Sequence, residues 1–484
     1  SGMLTSGNAN LLMAHGTDLQ KQVFAANEFS GRFSGTMCLS EPQAGSSLSD
    51  IVTRATPDGE GYAADPLGAR YRLKGNKMWI SAGEHELSEN IIHLVLAKIP
   101  DDQGKLIPGV KGISLFVVPK KLVNTEGQLT GERNDVALAG LNHKCGWRGT
   151  TNTLLNFGEG KYPVRGQSGA IAYLVGRPGE GLKCMFHMMN EARIGVGIAA
   201  TMLGLAGYYA SLDYAKNRPQ GRPSGAGGKD ASQPQVRIIE HADIKRMLLA
   251  QKAYSEGALA LALYSARLVD EQHTGTAEDA DVARLLLEVL TPIVKSFPSE
   301  WCLEANSLAI QIHGGYGYTR DFPVEQYWRD NRLNMIHEGT HGIQAMDLLG
   351  RKVLMENGRG LKLLSERMLA TASRAEAAWG AEAAALRAAL QQIGQATQQA
   401  WDGAQPAQAL ANAVPYLQAF GHTVIAWIWL DVVSALDHDA TPAALGRKAA
   451  CRYFYRYELP KIGAWLAVVS SRDPTCADLP EEAF

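Results

Sequence analysis

The hydrophobic and polar positions divide the chain into segments of different period. Residues 1–34 are short and helix-like, and Thr17, which follows a glycine, is the expected N-cap of a polar helix. Residues 35–166 alternate turn clusters with short runs rich in β-branched and aromatic residues, a pattern typical of an antiparallel sandwich or barrel. The predicted strands are 70–73, 77–81, 91–96, 113–118 and 153–157.

Between residues 167 and 356 the apolar positions recur at helical spacing, which predicts a bundle of long amphipathic helices. Pro292 and Pro298 fall inside the last of them, so we expect that helix to kink or break there. The stretch from Pro219 to Pro234 is rich in glycine, serine and proline and predicts a mobile surface loop. The three clearest helical runs are 194–214, 244–269 and 282–312.

Residues 357–484 are rich in alanine and other helix formers, which predicts an appended C-terminal helical domain. The most apolar run there, Thr423 to Leu430, stops at Asp431, and we interpret it as a buried helix. No uninterrupted apolar run reaches the roughly 18 residues of a membrane span. The chain is therefore expected to be an α+β multidomain protein with four parts: a short helical remnant (1–34), a middle antiparallel β domain (35–166), a four-helix bundle (167–356) and the appended helices (357–484).

Composition narrows the function classes. The chain has 484 residues and a formal net charge of -2, so it lacks the basic surface expected of a nucleic-acid-binding protein. Its six cysteines are widely spaced with no C-x-x-C pair, which indicates reduced thiols and a cytoplasmic location. The first residues show no signal-peptide pattern.

The residues from His337 to His341 spell H-E-x-x-H, the pattern of zinc proteases, in which two histidines one helical turn apart hold the metal. Thr340 is a good N-cap for the helical pattern that resumes after it, and Gly339 disfavours a continuous helix. The two histidines would then lie on either side of a helix start and could not form a metal pair. This leaves Glu338 in a loop as a candidate general base, and we expect no metal site.

Three further motifs are each ambiguous. Residues 37–47 predict a strand that runs into a Pro-Gly-Ser turn, which suits a flat polar ring or a phosphate but also describes a simple hairpin. Trp79 and Ser81 are two apart, so on a strand they would face one side, either over a planar cofactor or in the core. The glycines within 311–318 permit close approach of an anionic group, or simply end a helix.

Together and in this order, the motifs resemble the acyl-CoA dehydrogenase flavoprotein family. Residues 40–46 resemble its first signature, 311–315 and 329–344 resemble its second, and 189–193 resemble the segment that opens the helix beneath the substrate. The resemblance runs from about residue 10 to 355. The alanine-rich tail and the Met-Cys-Leu form of the first signature are similar to the larger bacterial branch that includes 3-methylmercaptopropionyl-CoA dehydrogenase.

The resemblance implies FAD, bound between the β domain and the bundle and shared across a dimer interface. The residues expected at the flavin ring are Met37, Leu39, Ser40, Trp79 and Ser81, with Thr340 beside the base. Those expected at the adenosine diphosphate half, from a partner subunit, are Arg218, Gln220, Gln311, Gly314 and Gly315. Those expected at the acyl-CoA are Ser46, Asn190, Arg193 and Gly339.

The implied reaction is the FAD-dependent α,β-dehydrogenation of an acyl-CoA thioester to the trans-2-enoyl-CoA, as in the β-oxidation of fatty acids. Glu338 would remove the α-proton, its backbone N–H and a flavin ribityl hydroxyl would polarise the thioester carbonyl, and flavin N5 would take the hydride. The implied partners are electron-transfer flavoprotein or a similar acceptor and a second copy of the chain, in a homodimer or homotetramer, with no nucleic acid and no membrane span. Three alternatives stay open: an acyl-CoA oxidase, a non-catalytic acyl-CoA-binding scaffold and a zinc protease. The second would apply if 1–34 is only the end of a missing N-terminal helical domain.

Overall fold

The computed structural model describes residues 2–225 and 227–484, apart from the side chains of Met3 and Asn190. The chain divides into two compact units, residues 1–192 and residues 193–484. Each unit has its own hydrophobic core, and each is described by itself. The domain boundaries expected from the sequence remain predictions.

Unit 1 begins with short helices that pack on a sheet. Thr17 caps the second helix as expected, because its hydroxyl accepts from the backbone N–H of Gln20 at 3.2 Å. Asn8 is fully buried and donates to the carbonyl of Ile92 at 2.9 Å, which fixes the first helix to the sheet. The helices are α1 (Gly2–His15), α2 (Asp18–Gln20) and α3 (Ala26–Phe29), with a π-helical segment (Lys21–Ala25) between α2 and α3.

Ten strands follow, eight of them in one sheet of order β1-β4-β5-β10-β3-β9-β8 with β2 beside β3 and β4. The remaining two, β6 and β7, form a hairpin. The strands are β1 (Phe33–Cys38), β2 (Arg54–Pro57), β3 (Arg70–Ser81), β4 (Asn90–Lys98), β5 (Ile113–Pro119), β6 (Lys121–Val123), β7 (Leu129–Arg133), β8 (Val136–Leu141), β9 (Asn152–Phe157) and β10 (Ala170–Val175).

All five predicted strands lie within strands of this sheet, but its pairing is not wholly antiparallel. β1 and β2 both pair with β4 in parallel. Long connections separate them from β4, and such connections permit parallel pairing whereas a tight hairpin does not. β10 extends the sheet beyond residue 166, the predicted end of the β segment.

The central strands β4 and β5 are buried along their whole length, which explains why their sequences are continuously apolar rather than alternating. One face of the sheet packs against α1 and the first turns of the helix that starts at Gly181. The other face carries a second cluster that includes Tyr71, Phe116 and Phe157.

Unit 2 is helical, and the three predicted long helices are all present and longer than expected. They share one core with the C-terminal helices. Segments of π-helix follow α8 (Leu348–Lys352) and α13 (Phe454–Glu458). The helices are α4 (Gly181–Asn217, which begins in unit 1), α5 (Ala242–Thr274), α6 (Ala277–His313), α7 (Val324–Asn331), α8 (His341–Asp347), α9 (Met355–Ala375), α10 (Gly380–Trp401), α11 (Pro406–Leu410), α12 (Ala413–Ser434), α13 (Pro442–Tyr453), α14 (Ile462–Ser471) and α15 (Thr475–Asp478).

Of the expected kink or break at Pro292 and Pro298, the break was wrong, because α6 runs through both prolines as one helix of 37 residues, and the kink stays a prediction. Both prolines are buried, so packing on every side outweighs the lost backbone hydrogen bonds. Pro298 cannot donate to the carbonyl of Val294, and α4 approaches at that point. A methyl group on Gly197 would overlap the Val294 carbonyl oxygen, so only glycine fits there.

Within the described part of the chain, two helices, α4 and α12, have the length and the apolar composition of a membrane span. The sequence did not indicate them, because neither contains an uninterrupted apolar run of about 18 residues. Of the most apolar 18-residue stretch of α12, 78% is buried, so the run from Thr423 to Leu430 belongs to a core helix, as expected.

Candidate functional site

Glu338 lies in the loop between the 3₁₀ turn Arg332–Met335 and α8. Thr340 is the N-cap of α8, because its hydroxyl accepts from the backbone N–H of Ile343 at 3.4 Å. His337 therefore precedes the helix and His341 is its first residue. The expected geometry is confirmed: the two histidines do not lie one turn apart on a single helix.

The backbone of this loop is left-handed at two successive residues, with φ of 56° at Glu338 and 92° at Gly339. The φ of Gly339 favours glycine, and an added Cβ would also displace the side-chain amide of Gln344. That amide donates to the carbonyl of Glu338 at 3.3 Å. A left-handed glutamate costs roughly 1–3 kcal/mol and persists only where its surroundings enforce it, which is most common at functional sites.

Glu338 is half-buried, and its Oε2 is buried and has no hydrogen-bond partner within the described residues. Burial raises the pKa of Glu338 to about 7, although Arg193 and Lys295 act in the opposite direction. A carboxylate with a pKa near the working pH is suited to general base catalysis.

Lys295, which no sequence motif indicated, anchors the loop. It is fully buried on α6, and its Nζ donates to the Gly339 carbonyl at 2.7 Å. Burial lowers its pKa to about 8, although Glu338 raises it. The sequence feature that could have indicated Lys295 is its position between Pro292 and Pro298, as a lysine on an otherwise apolar face of a helix.

Arg193 is a second cation near Glu338. It is 4% exposed, and its guanidinium lies 3.9 Å from the carboxylate of Asp347. Its Nε has no hydrogen-bond partner within the described residues. Burial lowers its pKa, whereas Asp347 and Glu338 raise it.

A row of buried asparagines leads from the bundle core to the loop. Asn331 donates to Asn306 at 2.7 Å, and Asn334 donates to Asn331 at 2.9 Å. His337 Nε2 lies 3.2 Å from Asn334 Oδ1. Burial lowers the pKa of His337 to about 4, so at neutral pH its ring is uncharged and its Nε2–H donates to the asparagine. No role was predicted for His337 from the sequence.

A second group of predicted residues lines a pocket of about 500 Å³ at the far ends of α4 and α6. It includes Arg218, Gln220, Gly314 and Gly315, and the Arg218 guanidinium lies 5.7 Å from the centre of the Tyr316 ring. A cation, an aromatic plane and open glycine backbone can hold a planar base and an anionic group. Gln311 is exposed one turn earlier and does not line this pocket.

A larger cavity of about 590 Å³ lies between α5, α6 and the C-terminal helices. Trp301, Glu304 and Glu458 are among its lining residues. None of the predicted site residues lines it within the described part of the chain, so its size does not make it the candidate site.

The third group lies in unit 1, where a buried ion pair joins the end of β1 to β3. Lys77 Nζ donates to Glu41 Oε1 and to the Leu39 carbonyl, each at 2.9 Å. Burial acts to raise the pKa of Glu41, but Lys77 and the hydrogen bonds to the carboxylate hold it below its usual range. Met78 N–H donates to the Ser40 carbonyl at 3.0 Å. Leu39 and Ser40 therefore lie beside the strand that carries Trp79.

Trp79 occupies a β-bulge, with φ of 66° and 60% of the residue exposed. The pairing of β3 with β9 shifts register between Lys77 and Ile80. Simple alternation therefore does not apply between Trp79 and Ser81, because an irregular residue interrupts the strand, and their shared face stays a prediction.

The other predicted residues of unit 1 differ in exposure. Met37 and Ser81 are half-buried, and Ser46 is exposed in the turn after Glu41. The side chain of Asn190 lies outside the described residues.

Residues 179–354 match the family model described as acyl-CoA dehydrogenase, C-terminal domain. Residues 364–480 match acetyl-CoA dehydrogenase C-terminal like. The chain is 38% identical to 3-methylmercaptopropionyl-CoA dehydrogenase of Ruegeria pomeroyi over 431 residues, which cover 88% of this chain and 68% of that one. The chain belongs to the acyl-CoA dehydrogenase family. The predicted family, and with it the class of oxidoreductases, is confirmed.

Solved structures agree on the fold of this acyl-CoA dehydrogenase. Caenorhabditis elegans ACDH-11 in complex with C11-CoA superposes with a TM-score of 0.78 at 21% identity, over 99% of this chain and 75% of that one. An acyl-CoA dehydrogenase from Bacillus anthracis complexed with FAD superposes with a TM-score of 0.72 at 18% identity, over 100% and 75%. The predicted fold class is confirmed, and FAD is the cofactor named for the second of these structures.

Proposed function

We propose that this acyl-CoA dehydrogenase oxidises an acyl-CoA thioester to the trans-2-enoyl-CoA with FAD, and that Glu338 is the general base. The observation that carries the proposal is the buried Oε2 of Glu338, which has no hydrogen-bond partner among the described residues, on a carboxyl group with a pKa of about 7 in a loop with left-handed backbone. An α-hydrogen beside a thioester is weakly acidic, so its removal requires a base held dry and close.

The residues around Glu338 also suit the charge that develops on the substrate. Its backbone N–H makes no hydrogen bond to any described residue, so it is free to donate to a thioester oxygen as the enolate forms. Arg193 and Lys295 add positive charge nearby, which favours the anionic state of the base. Preorganised donors of this kind are the strongest stabilisers of a developing oxyanion.

Some of the remaining predicted residues offer contacts that suit FAD. Bound FAD supplies the acceptor for the β-hydride at N5. The exposed indole of Trp79 offers a plane for the flavin ring, next to the backbone of Leu39 and Ser40. The pocket of Arg218 and Tyr316 offers a cation and an aromatic ring for the adenosine diphosphate half.

Two copies of the chain are required for this arrangement. Arg193, beside Glu338, and Arg218, in the pocket, are joined by one continuous helical run of 25 residues. At about 1.5 Å per residue this is roughly 37 Å. One FAD molecule is too short to contact both ends, so we propose that each cofactor is shared between two subunits of a homodimer or homotetramer.

Electron-transfer flavoprotein or a similar acceptor is the proposed oxidant of the reduced enzyme. The cytoplasm is the proposed location, and the absence of any disulfide among the six cysteines, all in the described part of the chain, fits a reducing compartment. The acyl group of the substrate is open, since no motif marks the pocket that selects it.

The test is anaerobic reduction of the bound flavin by a panel of acyl-CoA thioesters. We expect the wild type to bleach its visible flavin band and Glu338→Gln to keep the bound flavin but lose roughly 10²–10⁴-fold in rate. Glu376→Gln, at an exposed ion pair with Arg387, is the matched control and should behave as wild type.

A Glu338→Gln variant that reduces its flavin at near the wild-type rate would exclude Glu338 as the base. Rapid peroxide formation in air would instead indicate an acyl-CoA oxidase. Purified protein that neither contains nor takes up flavin would indicate a non-catalytic scaffold.

A further inference from the structure

His341 connects the catalytic loop to the C-terminal helices. Its Nε2 lies 3.3 Å from one carboxylate oxygen of Glu300, on α6. The other oxygen of Glu300 accepts from Gln418 Nε2 at 2.6 Å. Gln418 is on α12, so a residue 118 positions beyond Glu300 in the sequence contacts the carboxylate that lies beside the first residue of α8.

The same C-terminal helices also hold the far end of α8. Trp401 donates its indole N–H to the carbonyl of Leu349 at 3.1 Å. Leu410 packs over Gly350, where an added Cβ would lie 3.2 Å from its side chain. Leu348 and Leu349 belong to the core cluster that contains much of α10 and α12. The segment after Glu338 is therefore held at both of its ends by the helices between residues 380 and 434.

On α6 the loop has two attachment points, five residues apart. Lys295 donates a hydrogen bond to the carbonyl of Gly339. The carboxylate of Glu300 lies 3.3 Å from the ring of His341, whose two nitrogens have no hydrogen-bond partner among the described residues, so this attachment is a close contact. Gln418 donates to the other oxygen of the same carboxylate, which limits the rotation of Glu300 beside the histidine. Between these two points lies the left-handed backbone that aims the carboxyl group of Glu338.

We propose that Gln418 and Glu300 are positioning residues that act through His341 to keep the catalytic loop in its left-handed conformation. The C-terminal helices are then part of the device that aims the base, and His341 is its mechanical link. A strained backbone relaxes unless neighbouring contacts enforce it. The proposal rests on the proposed function, in that Glu338 is the base whose position matters.

The first measurement is flavin reduction by saturating acyl-CoA in Gln418→Met, which keeps the length of the side chain but removes the donor. We expect the rate to fall about five- to tenfold, while the acyl-CoA concentration for half-saturation and the melting temperature stay near wild type. Thr397→Val is the matched control, because its hydroxyl bonds within the C-terminal helices, to Tyr416 and the Ile393 carbonyl. It should lower stability and leave the rate unchanged.

The second measurement is a double-mutant cycle with Glu300→Gln. If Gln418 acts through Glu300, the double variant loses no more rate than Glu300→Gln alone. Losses that multiply, or a Gln418→Met enzyme with the wild-type rate, would overturn the proposal.

The third measurement does not depend on catalysis. Amide hydrogen exchange over residues 336–345 should be faster in Gln418→Met than in wild type and unchanged in Thr397→Val. If the wild type fails to reduce flavin but its loop still loosens in Gln418→Met, the proposed function fails and the positioning link stands. If the wild type reduces flavin and the exchange is unaltered, the positioning link fails alone.

Discussion

Of the eight described non-glycine residues with positive φ, two are candidate site residues and a third lies beside the candidate Ser81. Trp79, Ala82 and Glu338 all have positive φ without being glycine. For an L residue this conformation costs roughly 1–2 kcal/mol. Two of these residues are the proposed flavin plane and the proposed base, so the local backbone is shaped by what the side chains must reach rather than by stability.

The first prediction at this scale concerns Trp79. In Trp79→Gly the left-handed strain disappears and little burial is lost, because 60% of the tryptophan is exposed. We expect the flavin-free protein to gain up to about 1 kcal/mol in unfolding free energy. FAD should bind about ten- to a hundredfold more weakly, since a stacked ring contributes roughly 1–3 kcal/mol. Urea unfolding and flavin titration measure the two effects, and Trp79→Phe should retain most of the affinity.

The second prediction concerns Lys295→Met. Glu338 has a raised pKa and acts as a base when ionised, so the wild-type rate of flavin reduction should rise with pH through about 7. Lys295 lowers that pKa, so its removal should move this rise to higher pH. The plateau rate should fall about tenfold or more, because a charge-assisted hydrogen bond of about 1.5–3 kcal/mol to Gly339 is lost.

The matched control is Lys252→Met, which removes a half-buried ion pair with Glu256 elsewhere in the bundle. Its pH profile should overlay the wild type. A Lys295→Met profile that also overlays the wild type would show that Lys295 does not affect the base.

At the scale of elements, the bundle depends on one close approach of two helices. Gly197 of α4 faces the Val294 carbonyl that Pro298 leaves without a helical donor. Gly197→Ala should destabilise the protein by about 2–3 kcal/mol, because the obstacle is backbone and cannot rotate away. Gly394→Ala, on an open face of α10, should instead stabilise by about 0.5–1 kcal/mol. Thermal unfolding of both variants would test the contact, and equal effects would contradict it.

Elements with strong local signals were predictable from the sequence. The three long helices follow from apolar periodicity, and the N-caps at Thr17 and Thr340 follow from residue type. The continuation of α6 through Pro292 and Pro298 could not be predicted, because it depends on packing against segments that are distant in the sequence. The parallel pairing of β1 with β4 and the bulge at Trp79 also depend on partners that periodicity does not specify.

The candidate site was likewise predictable only where its residues are neighbours in the sequence. Glu338 could be placed in a loop because Thr340 and Gly339 are its neighbours in sequence. Lys295 contacts the loop directly from α6, and Glu300 lies beside His341. Asn306 and Gln418 contact Asn331 and Glu300, which in turn lie near the loop, and no local sequence pattern indicates such contacts. These residues hold the base in place, and only the three-dimensional structure shows them.

At the scale of the whole molecule, α4 sets the distance between the two functional groups of unit 2. Arg193 lies near Glu338, the proposed base, and Arg218, just past the last helical residue, lines the proposed nucleotide pocket. A helix of this length is stiff, so the two groups cannot approach each other within one chain. Each proposed catalytic site then combines Glu338 of one chain with Arg218 of another.

This separation has a genetic consequence. Chains with Glu338→Gln and chains with Arg218→Ala should each form defective homodimers, the first without a base and the second with weak FAD binding. In a mixed dimer one site carries both defects and the other carries neither. Co-expression of the two inactive variants should therefore restore activity, up to half the wild-type level per mixed dimer. Two variants that are each inactive on their own would thus complement each other when they are expressed in the same cell.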